Sequence, residues 1–214
     1  MQEFVRCYTQ SVMKFLITNI TDKLITDALR YMRVPSSIHD EELIKTVKNA
    51  FERLETFIQP RCVWARFPVI RFDGGIEVAG AYIYSEDIER LTSRSRDCIL
   101  LAATLGLEVD RQITISQQKN MLDGLALDAC ASVRIDAFID QFMKSEIAPE
   151  LHEGEFMTSR FSPGYGDLNL SVIEDIIMIL NAHKRIGLSV TRSMMMTPVK
   201  SVTAITGLAY KSRN

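Results

Sequence analysis

Residues 160 to 167 read Arg160-Phe161-Ser162-Pro163-Gly164-Tyr165-Gly166-Asp167, and no other eight residues gather an arginine, a proline, two glycines and an aromatic. Arg160 offers a planar fork that suits a carboxylate or a phosphate. Pro163 fixes its own φ and has no N–H to donate. Gly164 and Gly166 open backbone angles closed to other residues and let a ligand approach the main chain. Tyr165 adds a flat face and a hydroxyl. This is the chemistry of a loop that binds something small, flat and partly anionic. The same composition also suits a tight turn with a surface arginine, because glycine and proline commonly punctuate loops.

The motif sits in a stretch, 147–168, without apolar period, and loops of that length in a compact domain are mostly functional or disordered. Ser171-Val172-Ile173-Glu174 then reads as a capping box. Ile173, Ile176, Ile177 and Leu180 give the following helix a buried stripe, and His183, Lys184, Arg185 and Gly187 suit its C-terminal end. Upstream, 108–146 is mostly helical. Its small-residue run from Leu125 to Ser132 allows close packing, and Val133, Ile135, Phe138, Ile139 and Phe142 continue the apolar face. Asp136 and Asp140 lie one turn apart there, a spacing that also suits a solvated helix face. Cys98 to Ala103 is a continuous apolar run, which predicts a central strand covered on both faces.

Cys62 to Phe67 and Ile76 to Tyr82 predict strands, with Asp73-Gly74-Gly75 as the hairpin turn between them. Ser85 caps a short helix. Leu188 to Thr191 and Ser201 to Thr206 predict two more strands, with Met194, Met195 and Met196 between them as core filling. The first 33 residues look helical, most clearly from Thr21-Asp22, and a second helix runs from about Asp40 to Ile58. Helices, strands, a long helix, a helix and strands in that order make an α+β chain. The expected fold is one domain over 1–214: a twisted, mainly antiparallel sheet packed by helices over 60–214, and a helical pair over 1–59.

The net charge of -2 builds no strong positive field, so nucleic acid is not an expected partner. Cys7, Cys62, Cys98 and Cys130 are far apart in apolar contexts and read as reduced, buried thiols. His39, His152 and His183 are isolated, so a histidine metal site is not expected. The N-terminus carries neither a secretory signal nor a membrane span, and a cytoplasmic location is expected. The phosphate-binding, dinucleotide-binding and nucleophile-elbow glycine motifs are missing.

Several motifs together resemble one family. Arg160-x-x-x-Gly164-Tyr165 is similar to the Arg-x-x-x-Gly-Tyr signature of the activation domain of cobalamin-dependent methionine synthase. Ile186-Gly187-Leu188, Thr191-x-Ser193 and Met196-x-Pro198-x-x-Ser201-Val202 follow in the family's order. Ala102-Ala103-Thr104-Leu105-Gly106, Leu127-Asp128-Ala129 and the Arg30-Tyr31 region resemble its stand-alone form. The resemblance implies S-adenosylmethionine in a shallow groove at a sheet edge. Arg160 would take its carboxylate, and the main chain of Gly164, Tyr165, Gly166 and Asp167 its adenosyl part. Asp136 is the nearest match to the family's acid on the long helix. The partner implied is the cobalamin-binding module of a methionine synthase or related corrinoid protein, reached in trans because no Asp-x-His-x-x-Gly pattern is present. In the family, a flavodoxin-type reductant supplies an electron to cob(II)alamin, and S-adenosylmethionine supplies the methyl group of methylcobalamin. The chain would be accessory to that methyltransferase rather than a complete enzyme. Two features depart from the pattern. Arg192 stands where the family has an acid, and the sequence ends at Asn214, before the family's tyrosine-bearing segment. A non-enzymatic adaptor that docks on a corrinoid protein without the ligand is the alternative.

Overall fold

The computed structural model describes residues 7–10, 20–35, 37 and 40–210. Helix starts follow local chemistry. α1 (Asp22–Tyr31) begins where the Thr21 hydroxyl accepts from the Leu24 N–H. α2 (Glu41–Glu55) begins where the Asp40 carboxylate accepts from the N–H groups of Glu42 and Leu43. Each cap satisfies donors that a helix start leaves orphaned. The expected N-terminal helical pair is therefore present. The helical expectation fails earlier in the chain: Cys7–Gln10 is a strand, β1, paired antiparallel with β2 (Arg61–Pro68). Its partner lies far along the sequence, so local periodicity carries no trace of it. The other residues before Ile20, and His39, lie outside the described residues.

The expected hairpin is also redrawn. The turn at Asp73-Gly74 joins β3 (Ile70–Phe72) to β4 (Gly75–Val78), and β2 pairs elsewhere. Ala79 and Gly80, at φ 52° and 87°, then reverse the chain into β5 (Ala81–Tyr84), splitting what reads as one strand. α3 (Glu86–Thr92) follows, capped by the Ser85 hydroxyl, which accepts from the Ile88 N–H at 3.0 Å.

β6 (Ser95–Thr104) is the central strand that its apolar run predicts. Ile99, Leu101 and Ala103 enter one core, and Cys98, Leu100 and Ala102 enter the other. The helical stretch after it is two helices, α4 (Leu107–Lys119) and α5 (Met121–Phe142). Asn120 separates them in extended geometry and caps α5 through the Leu122 N–H. Ser171 does not form the expected capping box. It is already helical at φ -58°, its side chain caps nothing, and its N–H donates to the Asn169 side chain at 2.9 Å. The expected stripe survives on α6 (Val172–Ile179), but Asn181 at φ 51° breaks the helix, and α7 (Ala182–Ile186) ends at Gly187, φ 72°.

The stretch expected as loop contributes an edge strand, β7 (Glu155–Met157). β8 (Ser189–Val190) and β9 (Met196–Thr197) form a small hairpin, and β10 (Ser201–Tyr210) completes the main sheet. The strand order is β1-β2-β6-β10-β7, antiparallel throughout. α1, α2, α4 and α5 cover one face, while α3, α6, α7 and the β4–β5 hairpin cover the other. The α+β expectation, mainly antiparallel sheet and helical layers, agrees with this arrangement. No helix among the described residues is long and apolar enough to cross a membrane.

Cys62, Cys98 and Cys130 are buried, free thiols, and burial pushes Cys98 and Cys130 up to about 12. β7 is fastened by charge. Arg66 donates from Nε to Asp97 at 2.8 Å and from both terminal nitrogens to Glu155 at 2.6 and 3.0 Å. Burial alone would raise the Glu155 carboxyl. Arg66, the His152 N–H and Tyr210 outweigh it and bring Glu155 down to about 2 from an ordinary 4.5. A depressed carboxylate stabilises the fold above its unfolded pKa, and that contribution is lost as pH falls from 4.5 toward 2. After discounting for solvent at the rim, the contribution is about 1–2 kcal/mol. Urea titrations at pH 7 and pH 3 should show Glu155→Gln destabilised at pH 7 and less pH-sensitive than the parent chain.

Candidate ligand-binding site

Arg160 is carried on a stretch stitched to the outer edge of β10. The Thr158 N–H donates to the Gly207 carbonyl at 2.9 Å. Phe161 and Ile205 exchange N–H···O bonds of 2.9 and 2.8 Å. Between these anchors the Arg160 side chain reaches α5, where its guanidinium lies 3.0 Å from Asp140 and 3.7 Å from Asp136. The two acids present one charge pair because residues four apart share a helix face. Asp136 is also held from α1, accepting the Tyr31 hydroxyl at 3.2 Å. Burial and the Asp136 carboxylate push the Tyr31 phenol up.

Beside this cluster a groove of about 650 Å³ runs along the edge of β10. Asp136, Arg160 and Tyr165 line it, as do Pro163, Ile173, Met196 and Ser201 to Thr203. α5 and α6 cover opposite sheet faces, so the groove crosses the sheet edge from Asp136 of α5 to Ile173 of α6. The wall at the start of β10 is tied down. Lys200 bridges to Asp128 and the Ser132 hydroxyl, both at 2.9 Å, and the Asp110 carboxylate accepts from the Val199 N–H at 2.7 Å.

Of the six residues singled out in the sequence, Arg160, Asp136 and Tyr165 come together at the groove. Gly164, Gly166 and Asp167 do not line it. The loop closes on itself, the Gly164 N–H donating to the Leu168 carbonyl and the Tyr165 N–H to that of Ser162. Gly164 and Gly166 have φ 93° and 52°. A Cβ on Gly164 would lie 2.8 Å from the Leu170 side chain, and one on Gly166 would strike the Asp87 carboxylate and the Phe161 ring. Their freedom therefore shapes the loop. Asp167 turns away to α3, where its carboxylate accepts from the Ser85 hydroxyl and from the Glu86 N–H at 2.7 Å. The Ser85 hydroxyl first, then the N–H groups of Glu86 and Asp87, hold it below the usual carboxylate range.

Sequence reasoning passed over Asp140, the closer of the two acids. Its signal was the i, i+4 spacing from Asp136. Ile173 and Thr203 carry no mark beyond their places on a helix stripe and a strand. Arg192 is exposed at the β8–β9 turn, does not line the groove, and is flanked by Thr191 and Ser193 hydroxyls 2.9 Å apart. Among the described residues, no three His, Cys, Asp or Glu side chains cluster to hold a metal ion.

Comparison with known proteins bears on this groove. Residues 129–213 match the family model described as the activation domain of vitamin B12 dependent methionine synthase. Every groove-lining residue falls in that segment. No curated protein matches the chain. Among solved structures, the crystal structure of the MetH reactivation domain bound to AdoHcy is similar at 17% identity and a TM-score of 0.62. That similarity covers 99% of this chain and 80% of the other. The segment that builds the groove thus resembles the activation domain of vitamin B12 dependent methionine synthase, and nearly the whole chain shares the fold of the MetH reactivation domain.

Proposed function

We propose that this chain binds S-adenosylmethionine in the groove along β10 and presents its methyl group to a corrinoid held by a separate protein, so acting as a reactivation partner. The observation that carries this reading is the ion cluster in which Arg160 and Asp136 line the groove and Asp140 stands beside it, paired with Arg160. An amino-acid end is a zwitterion. The Arg160 fork suits its carboxylate, and the α5 acids suit its ammonium group. Pro163, Ile173 and Met196 offer apolar surface to a nucleoside. When bound, S-adenosylmethionine supplies a methyl group on a positively charged sulfur. Proton transfer has no part in moving it, so the chain's own residues need only bind and orient the ligand. The corrinoid would belong to the cobalamin-binding module of a methionine synthase or related protein, and the electron to a flavodoxin-type reductant. The solved relative named for AdoHcy supports the ligand class.

Isothermal titration with S-adenosylmethionine and with S-adenosylhomocysteine tests the reading. Saturable binding at one site per chain is expected. No heat with either ligand, with or without a corrinoid-loaded methionine synthase, would leave the adaptor reading in its place.

A further inference from the structure

β5 is the last strand of the small sheet β3-β4-β5 and pairs with β4 alone. Its two-residue turn at Ala79-Gly80 makes Val78 and Ala81 a pair that exchanges main-chain bonds. Four residues on, the Ser85 N–H donates to the Gly74 carbonyl at 3.1 Å, in the same phase. Bonded and unbonded pairs alternate along an antiparallel ladder. Ile83 therefore bonds to Ile76, and the N–H and C=O of Tyr82 and Tyr84 point outward, away from β4. Among the described residues no hydrogen bond answers those groups. Tyr82 and Tyr84 are 60% and 70% exposed. The devices that keep a sheet edge from pairing are missing here: Ala81 to Tyr84 carries no charge and no proline, and its register with β4 runs without a bulge. Both tyrosines stand on the outer face, opposite the buried Ile83. The Phe72 ring lies over Gly75 and packs against both, at centroid distances of 5.9 and 5.2 Å. Rings already held lose little freedom when a partner covers them.

We propose that β5 pairs antiparallel with β5 of a second copy of this chain, about a two-fold axis at Ile83, joining the two small sheets into one. The strand matches itself. In that register Tyr82 stands opposite Tyr84 of the second copy, and the two exchange both main-chain bonds, so every open group of the edge is answered. Each such pair also sets one tyrosine ring against another across the strands. Charge does not oppose the pairing. Glu86, the first acid past the strand, meets Gly80 of the second copy. The two Glu77 carboxylates lie three strand spacings apart, about 14 Å, beyond the screening length at physiological salt. Two tyrosines this exposed offer on the order of 250 Å² per copy. That is well below the ~800 Å² per partner of a standard interface, so the pairing is weak and depends on concentration.

Sedimentation equilibrium and a ¹⁵N NMR dilution series test the pairing. Between about 10 μM and about 1 mM the chain should pass from monomer toward dimer. The Tyr82 and Tyr84 amides should shift with concentration, and the Ile83 amide, already bonded to Ile76, far less. Tyr82→Lys alters an exposed side chain and should melt with the parent, yet weaken pairing about 10-fold or more. A mixture of Tyr82→Lys and Tyr84→Glu chains should associate more tightly than either variant alone, because the introduced charges face each other in the proposed register. A monomer throughout the range, a dimer that Tyr82→Lys leaves unchanged, or a mixture no tighter than its components overturns the proposal. Tyr82 and Tyr84 amides that shift only on adding a corrinoid-loaded methionine synthase overturn it as well and give the edge to a strand of that partner.

Discussion

Arg160→Ala should abolish measurable binding of S-adenosylhomocysteine while the protein stays folded. The Arg160 side chain is 22% exposed and bridges to Asp140 and Asp136, which are themselves half-exposed or more. Removing it leaves no buried charge stranded, because water reaches both acids. The fold should lose little, as for other exposed ion pairs. Binding is different. A charge-assisted, two-pronged bond to the ligand carboxylate is lost, and two carboxylates remain to repel it. A loss on the order of 100-fold or more is expected. Arg160→Lys separates charge from shape: a point charge cannot reproduce the fork, so about a tenfold loss is expected. Asp140→Asn should leave the carboxylate contact intact and weaken the hold on the ammonium group. Titration calorimetry together with thermal melting reads all three variants. Undiminished binding by Arg160→Ala would remove the arginine from the site.

The contrast between Arg160 and Asp167 shows what a sequence can carry. Arg160 is legible because a fork in a glycine-rich loop is unusual locally. Asp167 looked equally promising, but its partners, Ser85 and the N–H groups of Glu86 and Asp87, lie some 80 positions upstream. Nothing near Asp167 announces them. The same division runs through the fold. Thr21, Asp40 and Ser85 marked helix starts correctly because a cap is settled within three residues. β1 and β7 escaped notice because an edge strand exists only through its partner, Ala65 and neighbours for one, Leu208 to Tyr210 for the other. Ser171 had the right neighbours for a capping box and failed because Asn169 took its N–H first. Pro163 reads as a turn residue, and the chain leaves the edge of β10 after the isolated Phe161–Ile205 bridge, which only the register reveals.

Glu55→Ala should be the most destabilising of the substitutions considered, by about 3–5 kcal/mol. Arg134 stands on α5 at core spacing, with Leu127, Cys130 and Phe138 on the same stripe, and is fully buried. Its Nε donates to Glu55 of α2 at 2.6 Å. Cutting back Glu55 takes one carboxylate partner from a guanidinium in the core, which is far costlier than losing an exposed pair. In a chain of this size each kcal/mol shifts the midpoint by about 2–4 °C, so a fall of about 6–20 °C is expected. The pair itself need not be a net gain, because the second Glu55 oxygen is buried with no hydrogen-bond partner among the described residues. Replacing both ends, Glu55→Leu with Arg134→Met, should therefore recover most of the loss. Arg134 also lies two residues before Asp136, on the helix that carries the acids to Arg160. The grip of α2 on α5 thus sets where those acids stand. If the pair serves position rather than stability, the double variant should melt near the parent chain yet bind S-adenosylhomocysteine more weakly. Unchanged binding would make Arg134 and Glu55 packing residues alone, and an unaltered melting point for Glu55→Ala would show that the buried guanidinium finds other support.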